Sequence, residues 1–288
     1  MNLSLATQYL IKAQDASGGW GYLPGHSPVV EPSAAALLAL HGVAEAQGTA
    51  LQALDWLRAT QHADGGWGFC DHDEESNWHT AWAVIALQRA APGDAAIQPG
   101  LTWLAHLGDP SGAGDDFSPA ASGLAANDPA ALAWSWLPAE ATWVEPTALA
   151  CLALQGERAD PDVAARLEAA AGYFAQRRCQ GGGWNVGNPV MFHTPLPARA
   201  CQTAWVLLAL SRIRPGQVQA DDLQAMWQDM LLDGGARALA WAALALQTLG
   251  HSGEAALNLL AALQAADGSW EQNTYDTALA VLAAGGAF

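Results

Sequence analysis

The sequence predicts an all-α fold, an α6/α6 barrel of six helical hairpins. Three observations predict it. An Ala/Leu-rich segment recurs six times without a gap, a Gln–Gly–Trp turn recurs between the copies, and an amphipathic stretch precedes each copy. Apolar residues on nearly every side of the recurrent segment make it a buried helix, too long for an ordinary strand.

The six inner helices are expected at EPSAAALLAL (31–40), WHTAWAVIAL (78–87), EPTALACLAL (145–154), CQTAWVLLAL (201–210), RALAWAALAL (237–246) and YDTALAVLAA (275–284). Pro32 and Pro146 suit a first helical turn, where a missing N–H costs nothing. Thr80, Thr147, Thr203 and Thr277 share one column, placed to satisfy orphan donors or to bond back to the preceding turn. Outer helices are expected at roughly 3–14, 50–61, 97–107, 162–178, 220–232 and 254–265. Between outer and inner helices lie QDASGGWG (14–21), QHADGGWG (61–68), QGGGWN (180–185) and QAADGSWE (264–271). Asp-Gly and Gly-Gly stop a helix, the amide of Gln ties a neighbouring helix end, and the indole packs over it. Alike, buried inner helices suggest closure into a ring, giving a single domain over 1–288 with inserts at about 68–77, 108–143 and 185–199.

Composition narrows the function. Of 288 residues 51% are hydrophobic and 14% charged, which suits a packed interior. With 28 Asp+Glu against 11 Lys+Arg the net charge is −17, and Lys12 is the only lysine, so a nucleic-acid surface is not expected. Cys70, Cys151, Cys179 and Cys201 form no CxxC, which points to a reduced, cytoplasmic protein. The N-terminal stretch MNLSLATQYLIKAQD reads as an amphipathic helix rather than a signal peptide. No apolar run reaches the ~18–20 residues that span a bilayer; a hydrophobic, peripheral membrane contact stays open.

The residues opening the inner helices carry the chemistry: Glu31, Trp78–His79, Glu145, Cys201–Gln202, Arg237 and Tyr275–Asp276. In a closed barrel these ring one mouth, where six helix N-termini favour an anion. Acids, a His and an Arg converging on an apolar cavity form an expected active site. Each acid is equally suited to capping its own helix, but a carboxyl facing an apolar cavity has a raised pKa and can act as a general acid. Trp78, Trp134, Trp136, Trp143 and Tyr275 flank this face, suited to a carbocation or an apolar ligand. Asp71 and Asp73 in CDHDEESNW (70–78) form a DxD that can hold Mg²⁺, or equally a solvated acidic loop. The segment 108–130 is expected to be a flexible loop or lid.

QxxxGGW followed by an xxTA helix resembles the QW repeat of squalene–hopene cyclases and protein prenyltransferase β subunits. QGGGWNVGNPVMFHTPLPARACQTAWVLLAL (180–210) is similar to the GGW…TPSQTAWALxAL segment of the cyclases. The resemblance implies an α/α toroid whose central cavity takes an isoprenoid chain. It also implies an acid in the place of the middle Asp of DxDDTA, where Glu31 and Glu145 stand. Asp276, in NTYDTA, matches only the last Asp of that motif, and no complete DxDDTA occurs in the chain. His79, in NWHTAWAVIAL, resembles the zinc-binding His of prenyltransferases; their D-x-C is missing, so zinc would have to recruit Glu31, Cys70 or Asp71.

The leading expectation is a terpenoid cyclase-like enzyme with Glu145 as acid, assisted by Glu31 and Asp276. Trp78, Trp143 and Tyr275 would line the path of the isoprenoid, and Gln202, Arg237, Trp134 and Trp136 would contribute to binding. The alternatives are a Zn²⁺- or Mg²⁺-dependent prenyltransferase-like enzyme using His79, Asp71 and Asp73, a non-catalytic toroid that binds a lipid or a protein, and an enzyme acting on sugar through paired carboxylates. No cofactor is required by the first.

Overall fold

A computed structural model describes residues 1–107, 133–138 and 140–286 of the chain. The segment 108–130, expected as a lid, lies outside the described residues. Residue contacts divide the chain into two compact units, Met1–Trp103 with Gly235–Phe288, and Leu104–Gly234.

In the first unit the outer helices are α1 (Leu3–Ala13), α3 (Gln47–Ala59), the first turns of α5 (Ile97–His106) and α11 (Glu254–Ala262). The inner helices are α2 (Val30–Leu40), α4 (His79–Ala90), α10 (Ala236–Thr248) and α12 (Thr274–Gly285). The inner helices pack side by side in the order α4, α2, α12, α10, so the last inner helix lies against the first. Their faces hold almost only Ala, Leu, Val and Trp, and α2 is buried along its whole length. Small Ala side chains let these helices approach closely, and Leu and Trp fill the gaps between them.

In the second unit the inner helices α6 (Val144–Leu154) and α8 (Ala200–Ile213) pack together, with α7 (Pro161–Arg177) and α9 (Ala220–Asp233) outside them. All twelve helices of the described residues match the twelve expected from the sequence to within a few residues. The expected insert at 185–199 differs from a plain loop. It forms a two-stranded hairpin, β1 (Val190–Met191) with β2 (Thr194–Pro195), whose turn places Phe192 and His193 at positive φ.

One hydrogen-bond pattern joins turn to inner helix in five repeats. The backbone N–H of Trp20 donates to Ser33 Oγ at 2.8 Å, and Trp67, Trp134, Trp184 and Trp270 donate likewise to Thr80, Thr147, Thr203 and Thr277 at 2.8–3.1 Å. In the first four the hydroxyl returns a bond to the same tryptophan's carbonyl. The shared Thr column thus serves the Trp turn, and only Thr147 and Thr277 also bond back four residues along their own segments. Each of these five indole N–H groups donates to a carbonyl of an outer helix, from Leu10, Leu57, Leu104, Phe174 and Leu260. Trp134 is therefore the third repeat's turn tryptophan, although no GGW precedes it.

The glutamine ties the next repeat. Gln61 Nε2 donates to Gly65 O within its turn and to Ala96 O beside the next outer helix, at 2.8 and 2.9 Å. Gln14 and Gln264 do the same, the latter reaching Asn2. The glycines are required because the next segment passes so close. At Gly65, with φ of 94°, an added Cβ would sit 2.6 Å from Pro99 O. In the second unit Gln180 is exposed, and buried Asp222, paired with Arg178 and accepting from Gly183 N–H, takes over this tie.

Replacing one hydroxyl should cost more than the average hydrogen bond, because it strands a buried N–H. Thr80→Val is expected to lower unfolding free energy by about 1–3 kcal/mol in urea titration, and Thr203→Val by a similar amount. An exposed control such as Thr102→Val should change little.

Candidate functional site

The helix starts of the first unit converge on Glu31. Its carboxyl is 7% exposed, at the second residue of α2. The hydroxyl of Tyr22 donates to Glu31 Oε2 in a very short hydrogen bond. Tyr275, 1% exposed, lies near the same carboxyl and acts to lower its pKa. Tyr22 and Tyr275 meet edge to face with ring centroids 6.1 Å apart.

Asp276 follows on α12 and is gripped by Arg237 of α10, with Nε to Oδ1 at 2.7 Å and Nη2 to Oδ2 at 3.3 Å. The same guanidinium lies 4.8 Å from the centre of the Tyr275 ring. Asn273 caps α12 by accepting the Asp276 backbone N–H, which fixes where that carboxylate stands. Trp82 of α4 meets Tyr275 at 5.8 Å and Trp241 of α10 at 6.0 Å, so aromatic rings adjoin the acid.

Burial pushes the Glu31 pKa up from the ordinary carboxyl range, because a carboxylate there loses its hydration. Hydrogen bonds from Tyr22 and Tyr275 and the charge of Arg237 pull it back only in part. Burial would lower the pKa of Arg237, but the hydrogen bonds and charge of Asp276 outweigh it and hold the guanidinium firmly protonated. The cluster sets an acid that burial makes hold its proton more tightly beside a closed ion pair.

His79 opens α4 in the same unit, 5% exposed, between the rings of Phe69 (5.3 Å) and Trp78 (4.3 Å). Burial drives its pKa down to about 3, and nearby Asp73 offsets this only slightly, so the imidazole is neutral at ordinary pH.

The metal expectation does not fit these residues. Asp73 turns back on its own loop, accepting the Phe69 N–H at 2.6 Å, with Cys70 Sγ at 3.8 Å from its other oxygen. Asp71 lies beside His72, and His79 Nδ1 is bonded to Asn77. Among the described residues no three His, Cys, Asp or Glu gather as a metal-holding group. Asp71, Asp73 and His79 thus each have a different polar partner.

The remaining expected site residues lie in the second unit. Glu145 is half-buried at the second residue of α6, and Gln202 half-buried near the start of α8. Trp143 and Trp136 stack at 4.9 Å and 17°, with Gly187 against the Trp143 ring. Trp134, expected to face a ligand, is instead fully buried, and the guanidinium of Arg166 covers its ring at 4.0 Å. Its two donors are already committed to the repeat's own hydrogen bonds.

Sequence reasoning missed Tyr22, Trp82 and Trp241. A signal for the tryptophans exists: Trp82, Trp205 and Trp241 occupy one column of the aligned inner helices. Tyr22 carries none beyond its place two residues after Trp20.

Residues 2–127 match the family model of the squalene-hopene cyclase C-terminal domain. None of the curated proteins compared with the chain matches it. A protein from Actinoplanes is 17% identical with a TM-score of 0.63, over 99% of this chain and 98% of that one. A variant of the type II terpene cyclase MstE from Scytonema, in complex with its substrate geranylgeranyl dihydroxybenzoate, is 18% identical with a TM-score of 0.62, over 98% and 95%. An α-amylase from Clostridium perfringens is 11% identical with a TM-score of 0.68, over 98% and 97%. At such identities the likeness shows the fold, which is the α/α toroid expected from the repeats. The family model covers less than half of the chain, and the terpene cyclase resembles it in fold. No helix among the described residues is long and apolar enough to cross a membrane.

Two opposite pH effects follow. Glu31 binds its proton more tightly in the folded state, so its contribution to stability is complete below pH 4.5 and is lost as pH rises through the raised pKa. Glu31→Gln should therefore gain stability relative to wild type as pH rises above 4.5. His79 binds its proton less tightly, so its contribution is present above pH 6.5 and lost as pH falls toward 3. His79→Gln should flatten that acid limb, by about 1.4 kcal/mol per pH unit while only the unfolded chain is protonated. Urea unfolding measured from pH 4 to 8 reads both slopes.

Proposed function

We propose that the protein is an acid-initiated isoprenoid cyclase in which Glu31 is the proton donor. The observation that carries this reading is the buried, pKa-raised Glu31 carboxyl, hydrogen-bonded by Tyr22, with aromatic rings adjoining it. With Oε2 accepting from Tyr22, Oε1 is left to carry the proton. Transfer of that proton to a terminal C=C forms a C–H bond, and the π electrons leave a tertiary carbocation. The new carboxylate is stabilised by Tyr22, Tyr275 and the charge of Arg237, groups already in place before the charge develops. The faces of Tyr275, Trp82 and Trp241 suit the cation. Attack by further double bonds closes rings, and loss of a proton ends the reaction as a net isomerisation.

This reading moves the acid from Glu145 to Glu31, because Glu31 is the more deeply buried and carries the tyrosine partner. Asp276 holds Arg237 rather than donating a proton. The uncharged polyprene class of substrate agrees with a cluster whose one arginine is already paired. The terpene cyclase with a geranylgeranyl dihydroxybenzoate complex supplies the probe.

A second reading follows from the likeness to an α-amylase, in which Glu31 and Asp276 would act as paired carboxylates on a glycan. The bidentate grip of Arg237 on Asp276 weighs against a free second carboxylate.

Purified protein is expected to convert geranylgeranyl dihydroxybenzoate or squalene to cyclised isomers. Glu31→Gln should lower that rate at least a thousandfold while circular dichroism stays near wild type and the thermal unfolding midpoint does not fall. Tyr22→Phe should lower it about tenfold or more, the scale of one positioned hydrogen bond to a developing charge. Hydrolysis of maltoheptaose in place of cyclisation, or loss of turnover in Glu145→Gln but not in Glu31→Gln, would overturn the reading.

A further inference from the structure

We propose that His79 is the base that ends the reaction, taking a proton through Nε2 from a carbon next to the final carbocation. This rests on the cyclase reading above and assigns a role it leaves open.

The tautomer follows from one neighbour. Asn77 Oδ1 accepts the backbone N–H of His79 at 3.0 Å, so the atom facing the ring is the amide oxygen. That same oxygen lies 2.6 Å from His79 Nδ1. Two acceptors cannot share a hydrogen bond, so Nδ1 carries the ring proton. Nε2 is left with a bare lone pair and has no hydrogen-bond partner among the described residues. A basic nitrogen held in one tautomer by Asn77, with no structural bond to make, is suited to proton transfer.

The position agrees. His79 and Trp82 are three residues apart on α4 and so share a face, one turn apart. Trp82 touches Tyr275, which touches Tyr22, the partner of Glu31. The loop that brings Phe69 against His79 is bonded to the start of α2, where Val30 N–H donates to Phe69 O at 2.9 Å. His79 therefore opens α4 beside the end of α2 that presents Glu31. The charges acting on Glu31 are Arg237 and Asp276, while the one acting on His79 is Asp73.

The chemistry balances. The C–H electron pair becomes the new C=C, the proton passes to Nε2, and the imidazolium then releases it to solvent. Glu31 recovers one proton from solvent in the same cycle. A weak base suffices, since a C–H beside a carbocation is far more acidic than an imidazolium. Phe69 and Trp78 flank the imidazole ring and fix its orientation.

The test is the product mixture from geranylgeranyl dihydroxybenzoate, separated by liquid chromatography and mass spectrometry. Wild type should give one predominant alkene isomer. His79→Phe and His79→Gln should slow turnover and lower the ratio of that isomer to other alkenes and hydrated products at least tenfold. His79→Gln matters because its amide can still bond Asn77 while offering no ring lone pair. An unchanged ratio in both variants overturns the assignment, as does a change in His79→Phe that His79→Gln restores, which would mark a packing role only. If wild type itself converts neither this probe nor squalene, the cyclase reading fails first, before any variant is compared, and the role of His79 falls with it.

Discussion

The reciprocal bond between a turn tryptophan and an inner-helix hydroxyl is the contact on which the rest of the structure depends. It fixes where five of the inner helices begin, because the Thr or Ser must reach back to the Trp backbone. The indole is then carried under the outer helix, where it meets a carbonyl left over at that helix's end. Burying such a ring is worth roughly 4–6 kcal/mol before entropy is counted. Its polar atoms cost nothing in return, since each has a partner. Helix starts set in this way are also the positions that carry Glu31, His79 and Asp276.

Within the first unit, site chemistry is a consequence of helix order. Because α12 packs against α2, Tyr275 and Asp276 stand beside Glu31, residues far apart in the chain. Arg237 arrives on α10 and closes the one ion pair of the cluster. Desolvation then separates the two carboxyls into different roles. Asp276 is matched by a guanidinium, while Glu31 receives only hydroxyls and a more distant charge. A carboxyl that burial makes hold its proton more tightly and a neutral imidazole, at the openings of adjoining helices, suit an acid-started and base-ended reaction.

Much of this was legible in the residues themselves. The repeat is a local signal: Gly-Gly stops, Trp needs cover, and Ala/Leu runs cannot stay on a surface. All twelve helices follow from it. Glu31, His79, Tyr275, Asp276 and Arg237 could be named because the aligned helix starts place them in one frame. Tyr22 could not, since its hydroxyl meets Glu31 only through the path of the loop between Trp20 and Val29. The DxD of the 70–78 loop misled for a related reason: the spacing suits a metal, but Asp73 is consumed by the Phe69 N–H of its own turn. Trp134 misled because its turn lacks the glycines that mark the other four.

The clearest division concerns two acids with one local code. Glu31 opens EPSAAALLAL and Glu145 opens EPTALACLAL, and the sequence determined for both a carboxyl at the second position of a buried helix. Tertiary structure alone decided that Glu31 is buried with Tyr22, Tyr275 and Arg237 around it, while Glu145 stays half-buried. Helix formation and capping depend on neighbours a few residues away, which a sequence displays. Proton affinity depends on lost hydration and on groups brought near from distant parts of the chain, which only the packed helices supply.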